Sequence, residues 1–244
     1  MLFIDNISTD PYFNLAAEEY LFKNFTDDIF MLWQNEASVI VGKHQNVWAE
    51  VNMDVVTEKN IPVARRFSGG GAVYHDLGNL NLTFIENNDN VDFNTFAGQI
   101  VSFLAVLGIP AQYNERRALL IDGLKISGSA QSVHKNRALY HATLLFDSDL
   151  ETLAEVLESP AGQRSLSSPS QKAVYVQSVK SPVTNIRNYT GKNFGMTDFK
   201  NAARDFFTKN RNDSRPYTFS PDDVIRILEL RLEKYACKDF IYNS

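Results

Sequence analysis

The 244-residue chain has a single cysteine, Cys237, which excludes an intrachain disulfide framework and a cysteine-based zinc site. Its four histidines, His44, His75, His134 and His141, form neither an HExxH helix nor a Cys/His cluster. Long apolar runs are missing too: Phe103–Leu107, at about five residues, is as long as they get, so nothing spans a membrane. Positive charge is in short supply. The 24 Lys+Arg against 29 Asp+Glu leave a net charge of −5 and no basic stripe, which argues against a nucleic-acid partner. The opening residues, MLFIDNISTD, are acidic and lack a signal-peptide core, so a soluble cytoplasmic protein is expected. What is present is 44% hydrophobic, and a chain of this length buries a core without covalent or metal staples.

The patterning predicts one α+β domain over residues 1–244, with a mixed, largely antiparallel sheet flanked by helices. Asp10 as N-cap and Pro11 at N1 open a first helix carrying Phe13, Ala16, Ala17, Tyr20 and Leu21. Ile29–Trp33 and Ser38–Val41 read as strands, Asn52–Lys59 as a short helix, and Ile61–Arg66 as a strand running into Ser68-Gly69-Gly70-Gly71. Ala72–His75 and the alternating Leu80–Phe84 are further strands. Phe93–Leu107 is an amphipathic helix stopped by Gly108 and Pro110. Ala118–Ile121 and Leu124–Ala130 form a hairpin about Asp122-Gly123, and Tyr140–Phe146 is a strand. Helices are expected from Asp149 to Leu157, over Thr197–Phe207 and from Ser220 to Tyr235, a strand over Val174–Val179, and a surface loop over Ser159–Ala173.

Four of the 12 glycines, Gly69, Gly70, Gly71 and Gly78, fall within ten residues. Three consecutive glycines next to strands let backbone N–H groups approach an anion closely, and Arg65 and Arg66 add fork-shaped donors beside them. A tight hairpin loop beside a surface ion pair would use the same residues. Neither the P-loop pattern nor GxGxxG is present. In Leu124-Lys125-Ile126-Ser127-Gly128-Ser129, alternation puts Lys125, Ser127 and Ser129 on one face, a clamp for a carboxylate or phosphate or simply a solvated strand face.

These segments resemble a known family. RRFSGGGAVYHDLGNLNLTF (Arg65–Phe84) is similar to the RRxSGGGAVxHDxGNxNxTF signature of lipoate-protein ligases, and DGLKISGSAQ (Asp122–Gln131) to their lysine segment. DPYFNLAAEE, VIVGKHQN, HATLLFDSDL and VKSPVTNI match further blocks in order, across most of residues 10–186. The resemblance implies the fold of biotin ligases and class II synthetases. It also implies a two-step reaction: lipoate and MgATP give lipoyl-AMP, whose acyl group passes to a lysine of a lipoyl domain, in E2 subunits of 2-oxoacid dehydrogenases or the glycine-cleavage H protein.

By motif match, Lys125 is the catalytic cation that holds the carboxylate and α-phosphate oxygens. Arg66 contacts the carboxyl or phosphoryl end, and the backbone at Gly70 and Gly71 lines the activated group, with Ser68 alongside. His75, Asn79 and Asn81 shape the nucleotide or acyl pocket. Trp33 serves the lipoyl slot, while Ser127, Gly128, His141 and Thr143 complete the binding set; no metal ligand is identified.

The chain departs from the family at several positions. Ala142 replaces a glycine, and its methyl either narrows the pocket or repacks. Arg116-Arg117-Ala118-Leu119 stands where such ligases read RND before an apolar run, and Pro182 replaces a basic residue. The C-terminal accessory domain of many such ligases is expected to be absent or a separate accessory protein. An acyltransferase using lipoyl-AMP or an octanoyl group, and a non-catalytic lipoyl-AMP-binding paralogue, are the alternatives. Cysteine catalysis is disfavoured because Cys237 lies outside every matched block. Pyrophosphate release from lipoate and ATP without acceptor separates the three.

Overall fold

The computed structural model describes residues 1–87, 91–158, 175–209 and 213–242. The strands are β1 (Leu2–Asp5), β2 (Ile29–Trp33), β3 (Ser38–Val41), β4 (Val63–Arg65), β5 (Val73–His75) and β6 (Asn79–Asn87), followed by β7 (Gln112–Tyr113), β8 (Leu119–Ile121), β9 (Leu124–Ser127), β10 (Ser129–His134), β11 (Arg137–Leu145) and β12 (Arg215–Pro216). The helices are α1 (Pro11–Asn24), α2 (Val47–Glu50), α3 (Met53–Glu58), α4 (Phe93–Val106), α5 (Leu150–Leu157), α6 (Met196–Lys209), α7 (Pro221–Leu230) and α8 (Lys238–Tyr242).

Six strands form the main sheet, in the order β10-β11-β6-β2-β1-β12. It is antiparallel from β10 to β2 and parallel from β2 through β1 to β12. The mixed sheet flanked by helices is the expected architecture. Because side chains alternate along a strand, β6 sends Leu80, Leu82 and Phe84 to one face and Asn79, Asn81 and Thr83 to the other. The first set packs with Phe96, Ile100 and Phe103 of α4 and Phe199 and Phe207 of α6. The opposite face is covered by α1, where Leu15, Ala16 and Leu21 meet Ile29, Met31 and Trp33 of β2.

Asp10 caps α1, accepting from the N–H groups of Tyr12 (2.8 Å) and Phe13 (3.4 Å), and Pro11 occupies its first turn. Of two smaller sheets, β4-β3-β5 packs Ile40 and Ala64 against Met31 and Trp33 on the α1 side, and β7-β8-β9 joins the other core through Leu119, Ile121 and Ile126.

Several expectations need correction. Leu124–Ala130 is not one strand: β9 ends at Ser127, the chain breaks at Gly128, and Ser129 starts β10 in the main sheet. Thr143 holds the break, its Oγ1 accepting from the Gly128 N–H at 3.1 Å and its N–H donating to the Gly128 carbonyl at 2.9 Å. Residues 175–179, the described part of the strand expected from Val174, form no strand either, since side chains and isolated backbone contacts replace a ladder there. Val176 N–H donates to His44 O (3.1 Å) and Ser178 N–H to Glu50 Oε2 (3.0 Å). The helix begun at Pro221 passes into a wider turn over Arg231–Tyr235. Strands β1 and β12 were not anticipated, being short and dependent on partners distant in sequence. The loop expected over Ser159–Ala173 lies outside the described residues.

Candidate active site

A cavity of about 620 Å³ opens between the polar face of the main sheet and the small sheets. Ten of the anticipated residues line it: Trp33, Arg66, Gly70, Gly71, His75, Asn81, Lys125, Gly128, His141 and Thr143. Ser68, Asn79 and Ser127 do not. Ser68 and Asn79 lie behind the wall, bonded to His141 and Asn81. Ser127 is fully buried and its hydroxyl has no partner among the described residues. The expected Lys125–Ser127–Ser129 face therefore does not form, because the break at Gly128 sends Ser129 into another sheet.

Lys125 is held by its backbone. Its N–H donates to the Pro182 carbonyl (2.8 Å), and its carbonyl accepts from Thr184 N–H (3.0 Å). Proline costs nothing at position 182, where only a carbonyl is used. The ammonium has no ion pair or hydrogen bond among the described residues, and burial pulls its pKa below the ordinary lysine range. An unpaired, partly desolvated cation facing a cavity is suited to an incoming anion.

The glycine loop lines the same cavity. The Arg66 guanidinium donates to the carbonyls of Ile40 (3.2 Å), Gly69 (3.1 and 2.6 Å) and Gly71 (2.7 Å). Arg66 thus turns the loop's carbonyls toward itself, and the N–H groups of Gly70 and Gly71 are left without a partner among the described residues. Such N–H groups form an anion cradle. Burial pushes the Arg66 pKa down to about 10, with Glu18 opposing, so the guanidinium stays charged at neutral pH. Arg65, by contrast, is no ligand. It is fully buried and donates to the carbonyls of Gly42, Lys43, Gln45, Phe240 and Ile241.

Sequence reasoning missed wall residues such as Leu15, Ile40, Asn114 and Glu115, and also Glu18 and Thr83, which brace the wall from behind. Ser68 Oγ lies 3.0 Å from His141 Nε2, and His141 Nδ1 lies 2.9 Å from Oε1 of the fully buried Glu18. Thr83 donates to the same carboxylate oxygen (2.5 Å) and accepts from Trp33 Nε1 (2.9 Å). The available signal was a carboxylate among Ala16, Ala17 and Leu21 on a helix that the sheet covers. The chain fixes the orientations of Trp33 and His141, whose rings stand in the wall.

Leu15, Ile40, Ala72, Val73 and Ala130 supply apolar wall. Ala142 packs in the core with Leu82 and Leu144 and is also part of the cavity wall. Arg116 and Ala118 are in the wall and Arg117 is not. Asn114 Oδ1 accepts from the N–H groups of Arg116 (3.0 Å) and Ala118 (3.1 Å), and Arg117 sits at φ 59° in the left-handed region. Among the described residues no group of three or more His, Cys, Asp or Glu side chains could hold a metal, and Glu115 is the one carboxylate in the wall.

A cation and an N–H cradle in the wall of one slot with apolar walls suit a carboxylic acid with an apolar tail and a phosphate. The family model of the lipoyl protein ligase A/B catalytic domain matches residues 10–208, and the chain belongs to this family. It is 35% identical to a lipoate-protein ligase of Bacillus subtilis, over the whole of this chain and 74% of that protein. A putative lipoate protein ligase of Thermoplasma acidophilum, solved with bound lipoic acid, superposes with a TM-score of 0.81 at 25% identity, covering 100% of this chain and 98% of that one. A lipoate-protein ligase A solved with ATP gives a TM-score of 0.80 at 25% identity, covering 99% and 97%.

Proposed function

We propose that the protein is a lipoate-protein ligase, with residues 1–244 acting as one catalytic domain. The observation that carries the reading is a single cavity lined by Lys125, Gly70 and Gly71, with the Lys125 ammonium and the two glycine N–H groups all without a partner among the described residues. In the first step a lipoate carboxylate oxygen attacks the α-phosphorus of ATP, the bond to the β-phosphate oxygen breaks, and lipoyl-AMP and pyrophosphate form. Two anions must meet, so positive groups have to offset their repulsion. Lys125 bridges carboxylate and α-phosphate oxygens, and the glycine N–H groups bind the phosphoryl oxygens. In the second step the neutral amine of an acceptor lysine attacks the acyl carbonyl and AMP leaves, with Lys125 stabilising the carbonyl oxygen as charge develops.

Magnesium enters with the nucleotide as MgATP. The wall offers Glu115 alone as a carboxylate, which does not make a protein cage for the ion, and no step here is routed through one. The acceptors are lipoyl domains of 2-oxoacid dehydrogenase E2 subunits and the glycine-cleavage H protein, met in the cytoplasm, with a separate accessory protein as a further partner. Arg65 takes no part in docking them, being buried. Among the described residues no helix is long and apolar enough to cross a membrane. Pyrophosphate release from lipoate and MgATP, followed by transfer to a purified lipoyl domain, tests the reading; no release and no transfer by the folded protein overturns it.

A further inference from the structure

Arg65 is a buried cation with no carboxylate beside it. Among the described residues its guanidinium meets only backbone carbonyls, and they come from two separate places. Nη1 donates to Gly42 O (2.8 Å), Lys43 O (3.2 Å) and Gln45 O (2.8 Å), in the turn that follows β3. The opposite edge donates to α8, Nε to Phe240 O (3.0 Å) and Ile241 O (2.9 Å), and Nη2 to Ile241 O (2.6 Å). The last carbonyls of a helix have no partner within it, so α8 offers acceptors there. A buried charge stripped of half its hydrogen bonds is far more costly than a neutral group in the same position. Neither the turn nor α8 can leave Arg65 without that cost, and their positions are therefore coupled.

The turn frames the glycine loop at both ends. At one end Lys43 N–H donates to Ser68 O (2.9 Å). At the other, Gln45 Oε1 accepts from Gly42 N–H (2.9 Å) while Gln45 Nε2 donates to Ser178 Oγ (3.0 Å), and the same hydroxyl accepts from Ala72 N–H (2.8 Å). The unpartnered N–H groups of Gly70 and Gly71 lie between these anchors. No residue of Lys238–Tyr242 lines the cavity. Instead α8 is seated by Ile241, in the core with Val41 and Val47, and by Tyr242, whose ring lies 5.6 Å from that of Trp48 on α2.

We infer that Arg65 is a positioning residue that transmits the seating of α8 to the glycine loop, so that activation of the acid depends on a helix that touches no substrate. The kinetic consequence rests on the ligase reading above; the coupling is a property of the protein without ligand.

The test compares the full chain as wild type, Arg65→Lys, Ile241→Lys and the double variant. Arg65→Lys keeps the charge, but one ammonium cannot bridge both sets of carbonyls. Ile241→Lys places a charge in the apolar seat of α8 and drives the helix out. Amide hydrogen exchange comes first, without ligand. In Ile241→Lys the Lys43 and Ala72 amides should exchange at least about tenfold faster, as local opening allows, while β6 and β11 keep wild-type rates. Pyrophosphate release from lipoate and MgATP should show kcat lowered roughly a hundredfold in each single variant, as a displacement near 1 Å would cause. KM for lipoate should move less than about threefold. Because both changes act through one link, the double variant should be no slower than either single one. A role confined to stability would lower the melting temperature of the folded variants and leave kcat in place. Wild-type exchange at Lys43 and Ala72 in Ile241→Lys, wild-type kcat in folded Arg65→Lys, or multiplying losses in the double variant overturns the proposal. If one single variant fails to fold, the other decides. If the wild type releases no pyrophosphate, the ligase reading fails, and the exchange rates still decide the coupling.

Discussion

The carbonyl oxygen of Gly70 lies 2.1 Å from the point where a β-carbon on Gly42 would stand. The two loops can approach this closely only because position 42 has no side chain, and the Gly42 carbonyl is in turn held by Arg65 at 2.8 Å. Gly42→Ala must therefore push the glycine loop away from β3. A displacement near 1 Å at a substrate cradle costs roughly a hundredfold in rate. We expect kcat/KM for pyrophosphate release to fall by about that factor while the protein stays folded by circular dichroism. Wild-type kinetics in Gly42→Ala would mean the loop's position is unimportant.

Arg117 and Ala118 make separable predictions. Arg117 holds a positive φ that asparagine tolerates better, and its side chain is outside the cavity wall. Arg117→Asn should raise stability by up to about 1 kcal/mol, within the range for relieving such strain, with little effect on kinetics. Ala118 is in the wall, so Ala118→Asp sets a carboxylate within the cationic site. That change should raise pyrophosphate release from lipoate and MgATP, whereas lipoylation from preformed lipoyl-AMP should change much less. Denaturant melts and the two assays check both; lower adenylation in Ala118→Asp would show that the site works better without the carboxylate.

The protein should lose stability in acid through His75. Its folded pKa is near 3 and the unfolded value near 6.5. Between these the unfolded chain binds the proton and the fold does not, so stability falls by up to about 1.4 kcal/mol per pH unit as pH drops from 6.5 towards 3. Above 6.5 the group contributes no pH dependence. His75→Phe should flatten this limb of the stability curve in urea melts at stepped pH, and an unchanged slope would contradict the assignment of His75 as a buried neutral ring.

Lys125 has a linkage of the same sign in a higher pH window. Its lowered pKa means that burying the charged form costs stability at neutral pH, a cost relieved as pH rises through the folded pKa towards the unfolded value. Lys125→Met keeps the stem and removes that cost, so its melting temperature should rise, by about 2–4 °C for each kcal/mol regained in a chain of this size. A lower melting temperature would show that the ammonium is structurally paired.

The motif-bearing strands were readable because their patterns are local. Ile29–Trp33 and Ser38–Val41 are observed at their expected bounds, and the Asp10 cap, the helix over Phe93–Val106 and the Asp149 cap follow short-range rules. Of the ten anticipated residues that line the cavity, six (Trp33, His75, Asn81, Lys125, His141 and Thr143) sit on strands whose existence was plain from the sequence. What was hidden depends on distant partners. Arg65 and Arg66 look alike in sequence, yet one is bound by the carbonyls of Phe240 and Ile241 and the other braces the glycine loop. Glu18 looks like a surface residue until the sheet brings His141 and Thr83 against it. The break at Gly128 could not be seen because Leu124–Ala130 alternates without interruption, and only Thr143, from β11, shows where the chain changes sheets.

The central claim is that the unpaired Lys125 ammonium activates the acyl carboxylate. The measurement that bears on it most directly is lipoate- and MgATP-dependent pyrophosphate release by wild type and Lys125→Met, each shown to be folded, followed by transfer to a lipoyl domain. The account predicts release and transfer by the wild type. In Lys125→Met both should fall by roughly two to three orders of magnitude, the loss typical of removing one preorganised charge-stabilising donor. Near-wild-type release by a folded Lys125→Met protein would contradict it.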